Sequence, residues 1–266
     1  MKIIVAGYGY VGKAIKSALG NKNEIIVVDP KYTEVTIAQH IDADGIVICV
    51  NTPSDDAGNC DISSIINVID QVPIFIPILI KSTISPNLLK DVLEKYPDHS
   101  IVFSPEFLRA KSAIEDFANQ KYMIIGGDDP ANFWHLLFKD SLVNLKVIHK
   151  CTPEEAAVVK YATNSFLAIK VSFFNHLYDL CEATGQDFEV VRHLICQDVR
   201  IGTSHSMVPG IDGERGWGGH CFPKDTLAFV QYVRSFNQSF DLLETAIEYN
   251  HKLKKSLTFK AFLNII

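Results

Sequence analysis

Through its first half the chain repeats one figure: a short run of branched apolar residues, then a stretch whose apolar positions recur at helical spacing. The short runs predict strands at Lys2–Ala6, Glu24–Asp29, Gly45–Val50, Ile74–Lys81, Ser100–Phe103, Lys121–Gly126 and Leu145–Ile148. Helices are expected between them, at Val11–Leu19, Asp61–Gln71 and Pro86–Lys95 among others. Strands alternating with helices imply a parallel sheet covered on both faces. After His149 the figure changes. Thr152-Pro153-Glu154-Glu155 reads as a helix start, with Thr152 as N-cap, Pro153 at the first helical position and Glu155 completing a capping box. No breaker follows until Gly185, so one helix runs to Thr184, about 48 Å long at the usual rise. Its apolar residues, among them Val158, Val159, Phe166, Leu167, Phe173, Phe174 and Leu177, cover more than one face, which predicts burial as the spine of a helical domain or in a dimer interface. Further helices are expected at Phe188–Ile195, Pro223–Val233 and Phe240–Leu263. The fold class is α/β: a doubly wound parallel sheet over residues 1–150, then an all-helical domain with one long central helix over residues 151–266.

Composition narrows the field. Of 266 residues, 47% are hydrophobic and 21% charged, the balance of a globular protein rather than a disordered one. A net charge of −6 offers no general attraction for nucleic acid or an anionic membrane. The N-terminal apolar run is too short for a signal peptide, and the run from Val72 to Ile80 is broken by two prolines and far below a membrane span. Cys49, Cys60, Cys151, Cys181, Cys196 and Cys221 form no CxxC pair and no zinc spacing, so no metal site is expected. They read as free thiols in a reducing cytoplasm.

Gly7-Tyr8-Gly9-Tyr10-Val11-Gly12 is a GxGxxG turn that leaves the first strand and opens the first helix, and Asp29 ends the second strand. This is the Rossmann-type setting of a dinucleotide: glycines for the turn and the close approach of a pyrophosphate, a helix N-terminus for its charge, and a carboxylate for the ribose hydroxyls. Gly7, Gly9, Tyr10, Val11, Gly12 and Asp29 are therefore candidate cofactor residues. Asp29 would repel a 2′-phosphate, which favours NAD over NADP, with Lys31 nearby pulling the other way. The alternative is a glycine turn that holds no ligand.

Gly218-Gly219-His220-Cys221-Phe222-Pro223-Lys224-Asp225 carries the candidate chemistry. A thiol at a helix start feels the positive end of the helix dipole, which favours the reactive thiolate. Beside a nicotinamide site, such a thiol suggests oxidation of an alcohol to an aldehyde, its capture as a thiohemiacetal, and a second oxidation to a thioester that water hydrolyses. That reaction needs oxyanion donors and a carboxylate base. Lys160 and Asn164 stand four apart on the long helix and share a face, with Lys160 set among Ala156, Ala157, Val158, Val159 and Ala162. Spacing alone leaves open a lysine snorkelling to solvent and a surface asparagine.

Together these segments resemble the UDP-glucose/GDP-mannose dehydrogenase family over nearly the whole chain. The matching motifs are Gly7–Gly12, Val50-Asn51-Thr52-Pro53, Lys81-Ser82-Thr83, Ser104-Pro105-Glu106-Phe107-Leu108, Lys160 with Asn164, Asp198-Val199-Arg200-Ile201-Gly202 and Gly218–Asp225. The resemblance implies NAD as cofactor, with Thr52 and Thr83 added to its site, and a nucleotide-sugar substrate, UDP-glucose going to UDP-glucuronate. It makes Cys221 the nucleophile, Lys160 and Asn164 the oxyanion donors, Asp225 the residue that positions water or tunes the lysine, Thr83 a holder of water, and Glu106 the base for thioester hydrolysis. It lines the substrate pocket with Glu106, Phe107, Leu108, Lys160, Asn164, Arg200 and Gly218, the last in the glycine-rich loop Pro209–Gly219. Arg200 is expected to reach substrate across a homodimer built on the helix at 153–184.

Two departures stand out. Family members usually place a second glutamate four residues after the position of Glu106, where this chain has Ala110 followed by Lys111. Full-length members continue into a further α/β domain that closes over the nucleotide, whereas this chain stops at Ile266, so a truncated or naturally short chain without that wall is expected. Two other readings stay open on sequence: a two-electron 3-hydroxyacid dehydrogenase, which has no need of Cys221, and a NAD-binding scaffold without turnover.

Overall fold

The computed structural model describes residues 1–55, 58–219 and 221–254. These form two compact units, one of residues 1–53 and 60–160, the other of residues 54–59 and from 161 onward.

The first unit is built on a seven-stranded sheet. In chain order its elements are β1 (Lys2–Ala6), α1 (Tyr10–Leu19), β2 (Glu24–Val28), β3 (Gly45–Ile48), α2 (Ser63–Ile69), β4 (Ile78–Ile80), α3 (Pro86–Lys95), β5 (Ile101–Phe103), α4 (Ala113–Ala118), β6 (Tyr122–Gly126), α5 (Phe133–Ser141) and β7 (Val147–Cys151). The strand order is β2-β1-β3-β4-β5-β6-β7. Neighbours from β2 through β5 are parallel, and so are β6 and β7. The parallel expectation needs one correction: Phe103 of β5 meets Gly126 of β6 in an antiparallel pair.

Alternation along the strands explains why the sheet is covered on both sides. Ile4, Ile46, Ile48, Ile78, Ile80 and Phe103 pack one face together with Ile65, Ile69, Leu89 and Val92 of α2 and α3. Their neighbours Ile3, Val5, Val47, Leu79 and Val102 pack the other, with Ile15 and Leu19 of α1, Phe117 of α4, and Trp134 and Phe138 of α5. Two strands shift most from expectation. β4 begins at Ile78 because Pro73 and Pro77 cannot donate to a ladder, and Ile74 and Phe75 lie exposed ahead of it. β7 runs to Cys151, carried past His149 by its pairing with β6 up to Gly126↔Cys151.

The helix α6 (Pro153–Thr184) has the expected limits, and its capping box is present. The Thr152 amide donates to Glu155 Oε2 (2.8 Å), and the Glu155 amide to Thr152 Oγ1 (3.1 Å). Ala156 and Ala157 in its first turns join the sheet core. From Tyr161 on, the helix belongs to the second unit, with α7 (Phe188–Ile195), α8 (Phe222–Arg234) and α9 (Asp241–Lys254). Within this chain α6 buries only part of its apolar surface. Phe174 and Cys181 are buried, while Val159, Phe166, Phe173 and Leu180 are exposed, at a spacing of seven. The helix expected through Leu263 is seen as α9, and its predicted part after Lys254 lies outside the described residues.

Candidate active site

The carboxyl ends of successive parallel strands present the first set of groups. Gly7 follows β1, Asp29 follows β2, Thr52 stands beyond β3, Lys81 to Thr83 follow β4, and Ser104 to Glu106 follow β5. In open α/β sheets ligands bind at this edge.

The glycine turn fits a dinucleotide. Gly7 has φ +93°, and a Cβ there would stand 2.6 Å from the Cys49 carbonyl oxygen; at Gly12 it would stand 2.1 Å from the Gly7 carbonyl oxygen. The turn is closed to larger residues at both ends. At Gly9, by contrast, a Cβ would meet nothing within 4 Å, which is room for a pyrophosphate. Gly9 caps α1 without a side-chain hydrogen bond, and no acidic residue stands in the first turn, so the positive end of the helix dipole suits an anion. Asp29 is oriented by two amides, Tyr8 N–H to Oδ2 (2.6 Å) and Lys31 N–H to Oδ1 (2.9 Å), and each oxygen keeps a lone pair for a ribose hydroxyl. Thr52 is buried, and its hydroxyl donates to the Thr83 carbonyl (2.7 Å), which ties the ends of two neighbouring strands.

Three buried charges gather behind this edge. Lys160, only 3% exposed, donates to the Glu106 carbonyl oxygen (2.6 Å) and to Glu106 Oε1 (3.2 Å). Glu106 Oε2 accepts the Leu108 amide (2.7 Å), and Lys160 Nζ lies 5.7 Å from the Phe107 ring centre. Phe107 and Leu108 are half-buried. Lys81 donates to Ser104 Oγ and to the Pro105 carbonyl, both at 3.2 Å, and so pins the turn that presents Glu106. Burial brings the Lys81 ammonium down to about 8, opposed by Glu106. Cys49 beside it is pushed up to about 12, also by burial, and stays a thiol. No role follows for Lys81 from sequence; the signal for it is a lysine ending the apolar run of β4.

In the helical unit Asn164 and Asp225 meet. Asn164 Nδ2 donates to Asp225 Oδ2 at 2.6 Å, and Lys224 Nζ to Asp225 Oδ1 at 2.8 Å. Asp225 is 1% exposed and sits in the first turn of α8. Cys221 is the N-cap of that helix, half-buried, and its carbonyl accepts the Asp225 amide (2.8 Å). Lys160 and Asn164 lie one turn apart on α6. Gly218 is half-buried ahead of the thiol, and His220 lies outside the described residues. Arg200 is not gathered with these groups: it pairs with its near neighbour Asp198 (2.5 Å) with its side chain 85% exposed.

A nucleotide-ready turn on a parallel sheet, with a lysine–asparagine helix and an α-helical second unit, defines the class of nicotinamide-dependent dehydrogenase folds. The chain matches two models of one family, the UDP-glucose/GDP-mannose dehydrogenase family: its NAD binding domain over residues 31–139 and its central domain over residues 154–252. It belongs to that family.

It is 34% identical over 232 residues to the UDP-glucose 6-dehydrogenase YwqF of Bacillus subtilis, covering 82% of this chain and 51% of that protein. To the UDP-glucose 6-dehydrogenase of Rickettsia bellii it is 31% identical over 233 residues, with 83% and 52% covered. The chain thus spans about half the length of the curated relatives it matches. Among solved structures, a UDP-glucose dehydrogenase from Pyrobaculum islandicum superposes with a TM-score of 0.80 at 25% identity, over 94% of this chain and 68% of that one. A 3-hydroxyisobutyrate dehydrogenase of Mycobacterium tuberculosis shares the fold, with a TM-score of 0.72 at 16% identity over 93% and 92%.

Proposed function

We propose that this chain carries the cofactor-binding and catalytic parts of a NAD-dependent dehydrogenase that oxidises the primary alcohol of a nucleotide sugar to the acid. UDP-glucose going to UDP-glucuronate is the favoured pair. The observation that carries this reading is the buried Lys160–Glu106 pair, one helical turn from an Asn164 bonded to Asp225. Two buried donors and two buried carboxylates are the set that an alcohol-to-acid oxidation through a thiol requires.

The residues divide the work as follows. Lys160 has three N–H bonds and gives two to Glu106, which leaves one for a substrate oxygen. Asn164 gives one amide hydrogen to Asp225 and keeps another for the same oxygen. The pair stabilises first the alkoxide and then the thiohemiacetal oxyanion. When bound, NAD accepts the hydride of each of the two oxidations. The Cys221 thiolate adds to the aldehyde carbon and holds the carbon skeleton as a thioester after the second. Glu106 takes a proton from the water that attacks this thioester, with Asp225 and Thr83 orienting water, and the Cys221 thiolate leaves as the acid forms. Phe107, Leu108, Gly218 and Arg200 belong to the substrate pocket in this reading.

We place the chain in a reducing cytoplasm, a reading supported by its six free cysteines. Among the described residues no helix is long and apolar enough to cross a membrane. A homodimer through α6 is supported by Val159, Phe166, Phe173 and Leu180, exposed every seventh residue, the spacing of a helix seam. Arg200 would then serve the partner's substrate.

The test is NADH yield with UDP-glucose, GDP-mannose and UDP-N-acetylmannosamine, run beside Cys221→Ser. Two NADH per UDP-glucose, lost in the variant, supports the reading. One NADH per substrate with no sensitivity to thiol alkylation replaces it with a two-electron dehydrogenase. NAD binding without turnover on any of the three sugars leaves only a scaffold.

A further inference from the structure

The segment that leads to Cys221 is held by buried side chains that the reaction does not use. On α9, Asn250 accepts the Trp217 amide at Oδ1 (2.7 Å) and donates from Nδ2 to the Trp217 carbonyl (2.9 Å). One amide side chain thus grips both backbone groups of one residue. The Trp217 indole N–H donates to Ser172 Oγ on α6 (3.1 Å). One residue earlier, the Gly216 amide donates to Asn175 Oδ1 (3.2 Å), and Arg215 bonds the Asn175 side chain and carbonyl and pairs with Asp179 (2.7 Å). Asn250, Ser172, Asn175 and Trp217 are all buried. The fit is tight: Gly216 has φ +77°, and a Cβ there would stand 2.4 Å from Asn250 Oδ1.

Burying amides and hydroxyls confers little net stability, since each bond replaces one to water. What two-sided bonding does supply is position. Trp217 passes that position on: its ring stands edge-on to the ring of Phe222, 6.4 Å between centres. Phe222 is the first residue of α8 and directly follows Cys221. All of these contacts lie within the helical unit.

We propose that Asn250 and Ser172 are positioning residues for Cys221: they lock Trp217, and Trp217 sets the first turn of α8 and the thiol at its cap. The proposal rests on the reading of Cys221 as nucleophile. Loosening the clasp lets the helix start shift, which weakens the helix-dipole support of the thiolate and misplaces the sulfur for attack.

The experiment measures the rate of Cys221 alkylation by iodoacetamide at fixed pH, followed by peptide mass spectrometry on the full chain without substrate, with NAD affinity as a check on the fold. In Asn250→Asp the acceptor is kept and the donor lost. In Ser172→Ala and Trp217→Phe the same indole bond is removed from its two sides. Each is expected to slow alkylation at Cys221 about fivefold to tenfold, the effect of one buried hydrogen bond, with NAD affinity unchanged. Ser172→Ala combined with Trp217→Phe should be no slower than either alone, because both delete one interaction. With UDP-glucose, kcat should fall while KM holds.

Wild-type alkylation rates in all three variants would overturn the positioning role and leave the nucleophile standing. A Cys221 no more reactive than buried Cys181 in the unaltered chain would overturn the nucleophile reading and the proposal with it. Should Asn250→Asp lose NAD binding through misfolding, Trp217→Phe, which keeps the ring, decides the matter.

Discussion

The two units bury polar groups of different kinds. In the sheet unit the buried polar groups include Lys81, Glu106 and Lys160, one carboxylate set among two ammonium groups beneath the strand ends. In the helical unit they are mostly amides and hydroxyls, Asn164, Ser172, Asn175, Thr226 and Asn250, with the Asp225 carboxylate held between Asn164 and Lys224. A buried charge costs several kcal/mol of desolvation and persists only when paired. A buried amide costs little once bonded. The sheet unit should therefore answer to pH and to removal of a partner, and the helical unit to loss of geometry.

The largest expected effect is on the chemistry. Cys221→Ser should lower acid formation from UDP-glucose by at least about a thousandfold, because the serine hydroxyl is not ionised at neutral pH; residual acid formation within tenfold of wild type would remove the covalent step. Next comes the charge cluster. Lys160→Met leaves Glu106 without its cation and should cost about 3–5 kcal/mol in urea unfolding. A loss below about 1 kcal/mol, the range of an exposed pair, would mean that water reaches Glu106.

The third prediction is a pH dependence. Lys81 has a folded value of about 8 against an ordinary 10.5. Between those limits the unfolded chain binds more protons than the folded one, so stability from this group rises with pH across that window. Relative to Lys81→Met, wild type should gain up to about 3 kcal/mol from below pH 8 to pH 10.5, read from denaturant midpoints. A flat difference would place the lysine in contact with solvent.

In the helical unit the matching change is milder. Asn164→Ala removes one donor from a buried carboxylate and should cost about 1–3 kcal/mol, measured in the same way. The smallest effect is Arg200→Ala, whose exposed pair with Asp198 should leave the denaturant midpoint unchanged when it is lost. A raised KM for UDP-glucose with stability intact would support its service to a partner's substrate.

Much of this was legible in the chain. The period of two in Ile3-Ile4-Val5-Ala6 and its counterparts set both sheet faces, since alternate side chains must point to opposite sides. The Thr152–Glu155 box and Gly185 set both ends of α6, because capping is local. The exposure of Phe166 and Phe173 was not legible: a helix with apolar residues on several faces does not say which face its own chain covers.

What the sequence by itself determined is the list of chemical groups and the elements that carry them: a glycine turn after a strand, a lysine and an asparagine one helical turn apart, a cysteine at a helix start. These depend on neighbours within a few residues, so they can be read in line. Only the tertiary structure decided who bonds whom. Lys160 reaches Glu106 from 54 positions away, Asn164 reaches Asp225 from 61, and Asn250 grips Trp217 from 33. No local pattern encodes such pairs, because they arise from the packing of whole strands and helices, and burial then turns ordinary side chains into a charge cluster in one unit and a clasp in the other.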